Sequence, residues 1–137
     1  MKQLHATTLQ LNGKGVMLCG PSASGKSDLG LRLIEGGAIL VADDRTDLIL
    51  DKKSLIAKAP EEIIGQIEVR GIGIVKLEVA VRTHLAMVVN LKNTIEIQRL
   101  PKKNTIDILG VRLPLIEICA FEASAPAKVR TALMHYT

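Results

Sequence analysis

The sequence has no tryptophan, one phenylalanine (Phe121) and one tyrosine (Tyr136). Its core must therefore be almost wholly aliphatic. The scarcity of rings also counts against single-stranded nucleic acid as a partner, since such surfaces stack bases on several aromatic side chains. Two cysteines, Cys19 and Cys119, are too few for a disulfide scaffold and form no metal-ligand pattern, so both are expected as reduced thiols. Residues 1–5 lack the apolar stretch of a signal peptide, and no uninterrupted apolar run approaches membrane-spanning length. The expectation is a soluble, cytoplasmic protein with neither membrane nor nucleic acid as partner. Repeats, low-complexity tracts and linkers are also missing, and 137 residues leave little room for a second domain. A single domain over 1–137 is expected.

The chain is 47% hydrophobic, enough to fill a core and to argue against disorder. Eighteen basic residues against fourteen acidic give a net charge of +4. That excess suits an anionic ligand or an acidic partner, although solvated lysines alone produce such a balance.

The aliphatic residues fall into short runs. Residues 7–11 alternate weakly and lead into Asn12-Gly13-Lys14-Gly15, a tight-turn signal. Residues 16–19 read as a buried strand, 20–25 as a loop, and 26–35 as a helix with Leu29/Leu33 and Leu31/Ile34 along one side. Gly36-Gly37 stops that helix, and 38–42 form a second apolar strand ending at Asp43-Asp44. Strand, loop, helix and strand make a βαβ unit. The remainder is richer in strands, expected at 47–50, 55–58, 74–81, 85–91, 94–100, 106–109 and 112–119. Ser124 is expected to cap a last helix from Ala125 to about Tyr136, with Pro126 in its first turn. The expected fold class is α/β, with a mixed, strand-rich sheet rather than a fully parallel one.

Gly20-Pro21-Ser22-Ala23-Ser24-Gly25-Lys26-Ser27 satisfies G-x-x-x-x-G-K-[ST] at every fixed position, between an apolar strand and an amphipathic helix. Glycines at both ends let the backbone curl until several N–H groups face phosphate oxygens. The helix opening at Lys26 adds its positive N-terminal dipole. Lys26 can reach the β- and γ-phosphates, and the Ser27 hydroxyl can ligate magnesium. Such a phosphate-binding loop (P-loop) implies a nucleotide without naming a reaction. A guanine-reading N-K-x-D segment is missing, because Leu91-Lys92-Asn93 does not supply one, so a GTPase is disfavoured.

Asp43-Asp44 closes the strand after the P-loop helix. Carboxylates there can hold magnesium or accept a hydroxyl proton, and adjacent strand residues face opposite ways, so the two are expected to split their roles. A polar turn would use the same residues. Taken singly, His5, Glu68 and Arg99 read as exposed polar residues, as do His84 and His135.

In combination these blocks resemble the catalytic domain of HPr kinase/phosphorylase, the bacterial enzyme acting on the phosphocarrier protein HPr. The resemblance runs from His5 to about Ile118. It rests on the P-loop, Leu40-Val41-Ala42-Asp43-Asp44, Ile67-Glu68-Val69-Arg70-Gly71-Ile72-Gly73-Ile74, Gln98-Arg99-Leu100, and Ile108-Leu109-Gly110-Val111-Arg112-Leu113-Pro114. It implies a P-loop kinase domain with the nucleotide-binding fold of HPr kinase and phosphoenolpyruvate carboxykinase. It further implies ATP and Mg²⁺ as cofactors, HPr as protein substrate, and a hexamer. Position by position, it makes His5 an active-site histidine, Lys26 the loop lysine, Asp44 the base, and Arg99 the catalytic arginine. Ser27 and Glu68 become the magnesium ligands.

The family also dephosphorylates by phosphorolysis, and here the sequence departs from it. Longer members carry Arg-Pro-Gly-Arg-Asn where this chain has Phe121-Glu122-Ala123-Ser124-Ala125-Pro126-Ala127-Lys128. Lys128 replaces those two arginines only in part, because it lacks the bidentate fork. Longer members also carry an N-terminal domain, and the expectation is that this chain is the short, catalytic-domain-only form. The competing expectations are a P-loop kinase for a small metabolite and a non-catalytic, nucleotide-gated regulatory module.

Overall fold

The computed structural model describes residues 1–137. In chain order the strands are β1 (Lys2–Leu4), β2 (Ala6–Leu11), β3 (Lys14–Cys19), β4 (Ile39–Ala42), β5 (Thr46–Asp51) and β6 (Ser54–Lys58). They continue as β7 (Gln66–Val69), β8 (Gly73–Lys76), β9 (Arg82–Leu91), β10 (Asn104–Ile108) and β11 (Val111–Ile118). Helix α1 spans Lys26–Glu35 and α2 spans Ala125–Tyr136. No helix is long and apolar enough to cross a membrane.

Nine strands form one mixed sheet in the order β1-β5-β6-β9-β3-β2-β4, with β11 also beside β9 and β10 beyond it. β9 is where this sheet forks. Its first residues pair antiparallel with β6 (Lys58↔Arg82), its last pair parallel with β11 (Ile118↔Leu91), and its other edge carries β3 in parallel. One long strand thus serves three partners, and the sheet curls around it. β7 and β8 form a separate hairpin.

The curl makes two apolar clusters. Val16 and Leu18 of β3 with Met87 and Val89 of β9 face Leu29 and Leu33 of α1 and Val129 and Leu133 of α2. Met17 and Val88 point the other way, toward Leu48, Leu55, Ile108 and Leu113. Each fully buried leucine contributes about 1.5–3 kcal/mol. With so few rings available, many such aliphatic contacts carry the core. Arg130 of α2 donates to the Leu33 carbonyl at 3.0 Å, tying the second helix to the end of the first.

The βαβ expectation needs one change. β3 and β4 do run parallel, but β2 lies between them and pairs antiparallel with both. Three other expectations fail. Residues 94–100 are not a strand; Thr94–Glu96 is a short 3-10 turn, because Asn93 and Glu96 form a reciprocal capping box. The strand expected at 74–81 ends at Lys76, with only a single bridge, Leu40↔Val79, beyond it. Ser124 caps α2 without a side-chain hydrogen bond, since its own backbone is already helical. Strands β1 and β7 were not expected from sequence.

Candidate active site

The registers bring four strand ends to one edge of the sheet. Cys19 stands opposite Asn90, Leu91 opposite Ile118, and Thr8 opposite both Met17 and Ala42. The loop after β3, Asp43-Asp44 after β4, and the segment after β11 therefore share that edge. His5 joins them because β2 runs the opposite way and begins there.

Within the loop both glycines are required. Gly20 has φ +155°, and a Cβ there would lie 2.6 Å from Ser24 Oγ and 3.2 Å from Leu91 Cβ. Gly25 has φ +94°, and its Cβ would meet Ala120 Cβ at 2.8 Å. It is also the last residue before α1, and its carbonyl accepts the first helical bond, from Leu29 N–H at 2.8 Å. The next N–H groups lack intrahelical partners and carry the helix's positive end. Lys26 is only 7% exposed, and its Nζ donates to the carbonyls of Gly20 at 2.8 Å and Pro21 at 2.9 Å. Ser24 Oγ is buried without any partner. An orphan hydroxyl, a folded-back ammonium and free helix amides fit a polyphosphate chemically.

The paired aspartates occupy different environments. Asp43 is buried, and its Oδ1 accepts from Ser27 Oγ at 2.7 Å and Thr7 Oγ1 at 2.8 Å. Its Oδ2 accepts the backbone N–H of Glu68 at 3.1 Å, which anchors β7 to the site. Asp44 is exposed and sits at φ +69° in a three-residue turn closed by Arg45 N–H to Asp43 C=O at 2.8 Å. Such turns are rare and strained, and strain of this kind gathers at functional sites. Asp44 Oδ1 lies 3.0 Å from His5 Nε2, and Arg45 Nε approaches Oδ2 at 3.9 Å. A carboxylate can only accept, so Nε2 carries the proton in that bond.

The structure thus gathers His5, the 20–27 loop, Lys26, Ser27 and Asp44, with the backbone of Glu68 against Asp43. The Glu68 side chain is exposed. Arg99 is not drawn in; it lies on an exposed stretch with no hydrogen bond or ion pair. Sequence reasoning did not single out Asp43 and Thr7 individually. The available signal for Asp43 was its place directly after four apolar strand residues. No three His, Cys, Asp or Glu side chains converge on a metal position. A hydroxyl and one carboxylate with a second nearby nevertheless suit Mg²⁺, which keeps waters and uses substrate phosphates for its other ligands. A cleft of about 600 Å³ involves Gln98, Lys103, Glu117 and Tyr136 but no residue of the loop.

Cys19 ends β3 immediately before the loop. Burial pushes its thiol up to about 11 from 9.0, and the Lys26 ammonium only partly offsets this. The thiolate is the reactive form. At pH 8 Cys19 should therefore react with iodoacetamide about a hundredfold more slowly than an unshifted thiol, as mass spectrometry can follow. Labelling at the free-cysteine rate would contradict this environment.

A P-loop on a mixed sheet, with an aspartate hydrogen-bonded to the loop serine, is an arrangement that P-loop kinase folds share with other P-loop nucleotide-binding proteins. The family model described as "HPr Serine kinase C-terminal domain" matches residues 1–136, and the chain belongs to that family. Among similar proteins is an "HPr kinase/phosphorylase" of Verminephrobacter eiseniae, 40% identical over 84% of this chain and 40% of its own length. Another, from a Polaromonas species, is 38% identical over 96% of this chain and 47% of its own length. The chain therefore spans less than half of these curated relatives. A solved structure described as "Hpr(Ser) kinase/phosphatase from Coxiella burnetii" superposes with a TM-score of 0.88 at 28% identity. That superposition covers 98% of this chain and 95% of the other.

Proposed function

We propose that the chain is a cytoplasmic catalytic domain, 1–137, that transfers the γ-phosphoryl group of ATP to a serine hydroxyl of HPr, with Mg²⁺ bound. The observation that carries the reading is the adjacency of Asp43, bonded to Ser27 of the loop, and Asp44, bonded to His5. One carboxylate is tied to the phosphate and metal side, while the other is left exposed for an incoming hydroxyl.

In the reaction, the serine oxygen bonds to the γ-phosphorus as the bond to the bridging oxygen of the departing ADP breaks. The hydroxyl proton passes to Asp44, at Oδ2, because Oδ1 is occupied by His5. His5 holds the carboxylate in place, and the turn at Asp44 aims it away from the sheet. Loop amides and Lys26 hold the phosphates, and Arg99, on the exposed stretch after the 3-10 turn, meets the phosphoryl oxygens when the acceptor docks. Ser27 and Glu68, with Asp43 beside them, would hold Mg²⁺, which when bound neutralises charge on the β- and γ-oxygens. The relatives' names support HPr as acceptor and a separate phosphorolysis, in which inorganic phosphate attacks the phosphoserine phosphorus and the serine oxygen leaves with a proton, giving pyrophosphate. The resemblance supports a homo-oligomer, hexameric in form.

The test is transfer from labelled ATP to HPr, to its Ser-to-Ala variant, and to a pool of metabolites. Label on HPr that disappears in the variant is the expected result. Label on a metabolite instead, or ATP binding with no transfer to either, would overturn the proposal.

A further inference from the structure

Phe121 is the only phenylalanine, and it is 67% exposed. It follows the end of β11 at the sheet edge that carries the loop. Its ring lies against Gly25: a Cβ on that glycine would be 3.2 Å from Cε1 and 3.3 Å from Cζ. The backbone on either side of the ring is held from α1. Arg32 donates to the carbonyls of Ala120 and, at 3.2 Å, Glu122, while Asp28 grips the same guanidinium at 3.0 Å. An apolar ring is thus kept facing solvent by a clamp rooted in the helix that opens at the phosphate loop.

The strand order fixes which side of the loop the ring occupies. Asp43 lies after β4, with β2 between it and β3; β9 and β11 lie on the other side of β3. The carboxylates and Phe121 therefore flank the loop from opposite sides. A triphosphate whose terminal group lies toward the carboxylates leaves its sugar and base toward Phe121. We propose that Phe121 is the stacking platform for the nucleotide base, a subsite that deepens the ATP reading above and rests on it. A ring face accepts any base, so it adds affinity without choosing adenine over guanine. Residues that read hydrogen-bonding edges would have to make that choice.

Titration of ATP and of inorganic tripolyphosphate, each with Mg²⁺, separates the base from the phosphates. Phe121→Ala should weaken ATP about tenfold and leave tripolyphosphate unchanged. Because the ring is exposed, the variant should keep its fold, which circular dichroism checks. Phe121→Trp should retain ATP affinity. It also introduces the only tryptophan, whose emission should be quenched by ATP and GTP but not by tripolyphosphate. Equal weakening of both ligands in Phe121→Ala would mean that the ring only shapes the loop, and would overturn the proposal. So would no change in either ligand, or a tryptophan blind to ATP. A wild-type protein that binds tripolyphosphate and ATP equally would sink the base subsite and spare the loop. One that binds neither would sink both.

Discussion

Lys26→Ala should lower the rate of phosphoryl transfer by at least about 10²–10³, the usual cost of removing one preorganised electrostatic contact. The side chain is nearly buried and donates to the Gly20 and Pro21 carbonyls within its own loop. Its ammonium is therefore already placed where phosphate oxygens are to arrive, and little reorganisation is needed to exchange carbonyl partners for them. Alanine removes the charge and also strips those two carbonyls of a donor, so nucleotide affinity should fall with the rate. Arginine should not rescue it, because a planar fork needs room that the closed loop does not offer. Single-turnover transfer from labelled ATP measures the effect. A variant within threefold of wild type would mean that the lysine holds the loop and nothing else.

The two aspartates should give opposite signatures when each is changed to asparagine. Asp44→Asn should cut transfer by about 10²–10⁴, the range of general-base contributions, while ATP binding stays close to wild type. Its carboxylate is exposed and touches no part of the loop. Asp43→Asn should do the reverse in emphasis, with Mg²⁺-dependent nucleotide binding lost first. One amide oxygen could still serve Thr7 and Ser27, but the new NH₂ would then face the Glu68 N–H, donor against donor. Leaving a buried donor unmatched costs about 1–3 kcal/mol, so the melting temperature should also fall by several degrees. Calorimetric titration beside the transfer assay separates the pair. Loss of nucleotide binding in Asp44→Asn would remove its assignment as the base.

The strand, loop, helix and strand from 16 to 42 were legible because apolar runs there are bounded by glycine and a strong local motif. The insertion of β2 between β3 and β4 was not legible, since it depends on a register set by residues far apart in sequence. At 94–100 the residues argued for a strand, but a local capping box between Asn93 and Glu96 won. The short edge strands β1 and β7 carry too few residues for a period-2 pattern to stand out. At the site, strand alternation suggested that Asp43 and Asp44 differ, but both lie beyond the end of β4, and it is the turn at Asp44, with φ +69°, that separates their surroundings. That Asp43 would meet Ser27 and Thr7 was not foreseeable, because Thr7 comes from β2 and its approach depends on the same non-local pairing. Exposed Arg99 has no contact by which its part could be read from the fold alone.

The fork at β9 has a consequence for biosynthesis. Gly15 pairs with Leu85, and Gly25 is covered by Ala120 and Phe121, so the nucleotide loop gains its far wall only after residues 85–121 have been made. A ribosome that has released β1 through β4 has already made every residue of the motif, yet β3 still has one bare edge. Closing that long gap delays ordering. The nascent chain carries the whole Gly20–Ser27 motif well before the strand and loop that wall it exist.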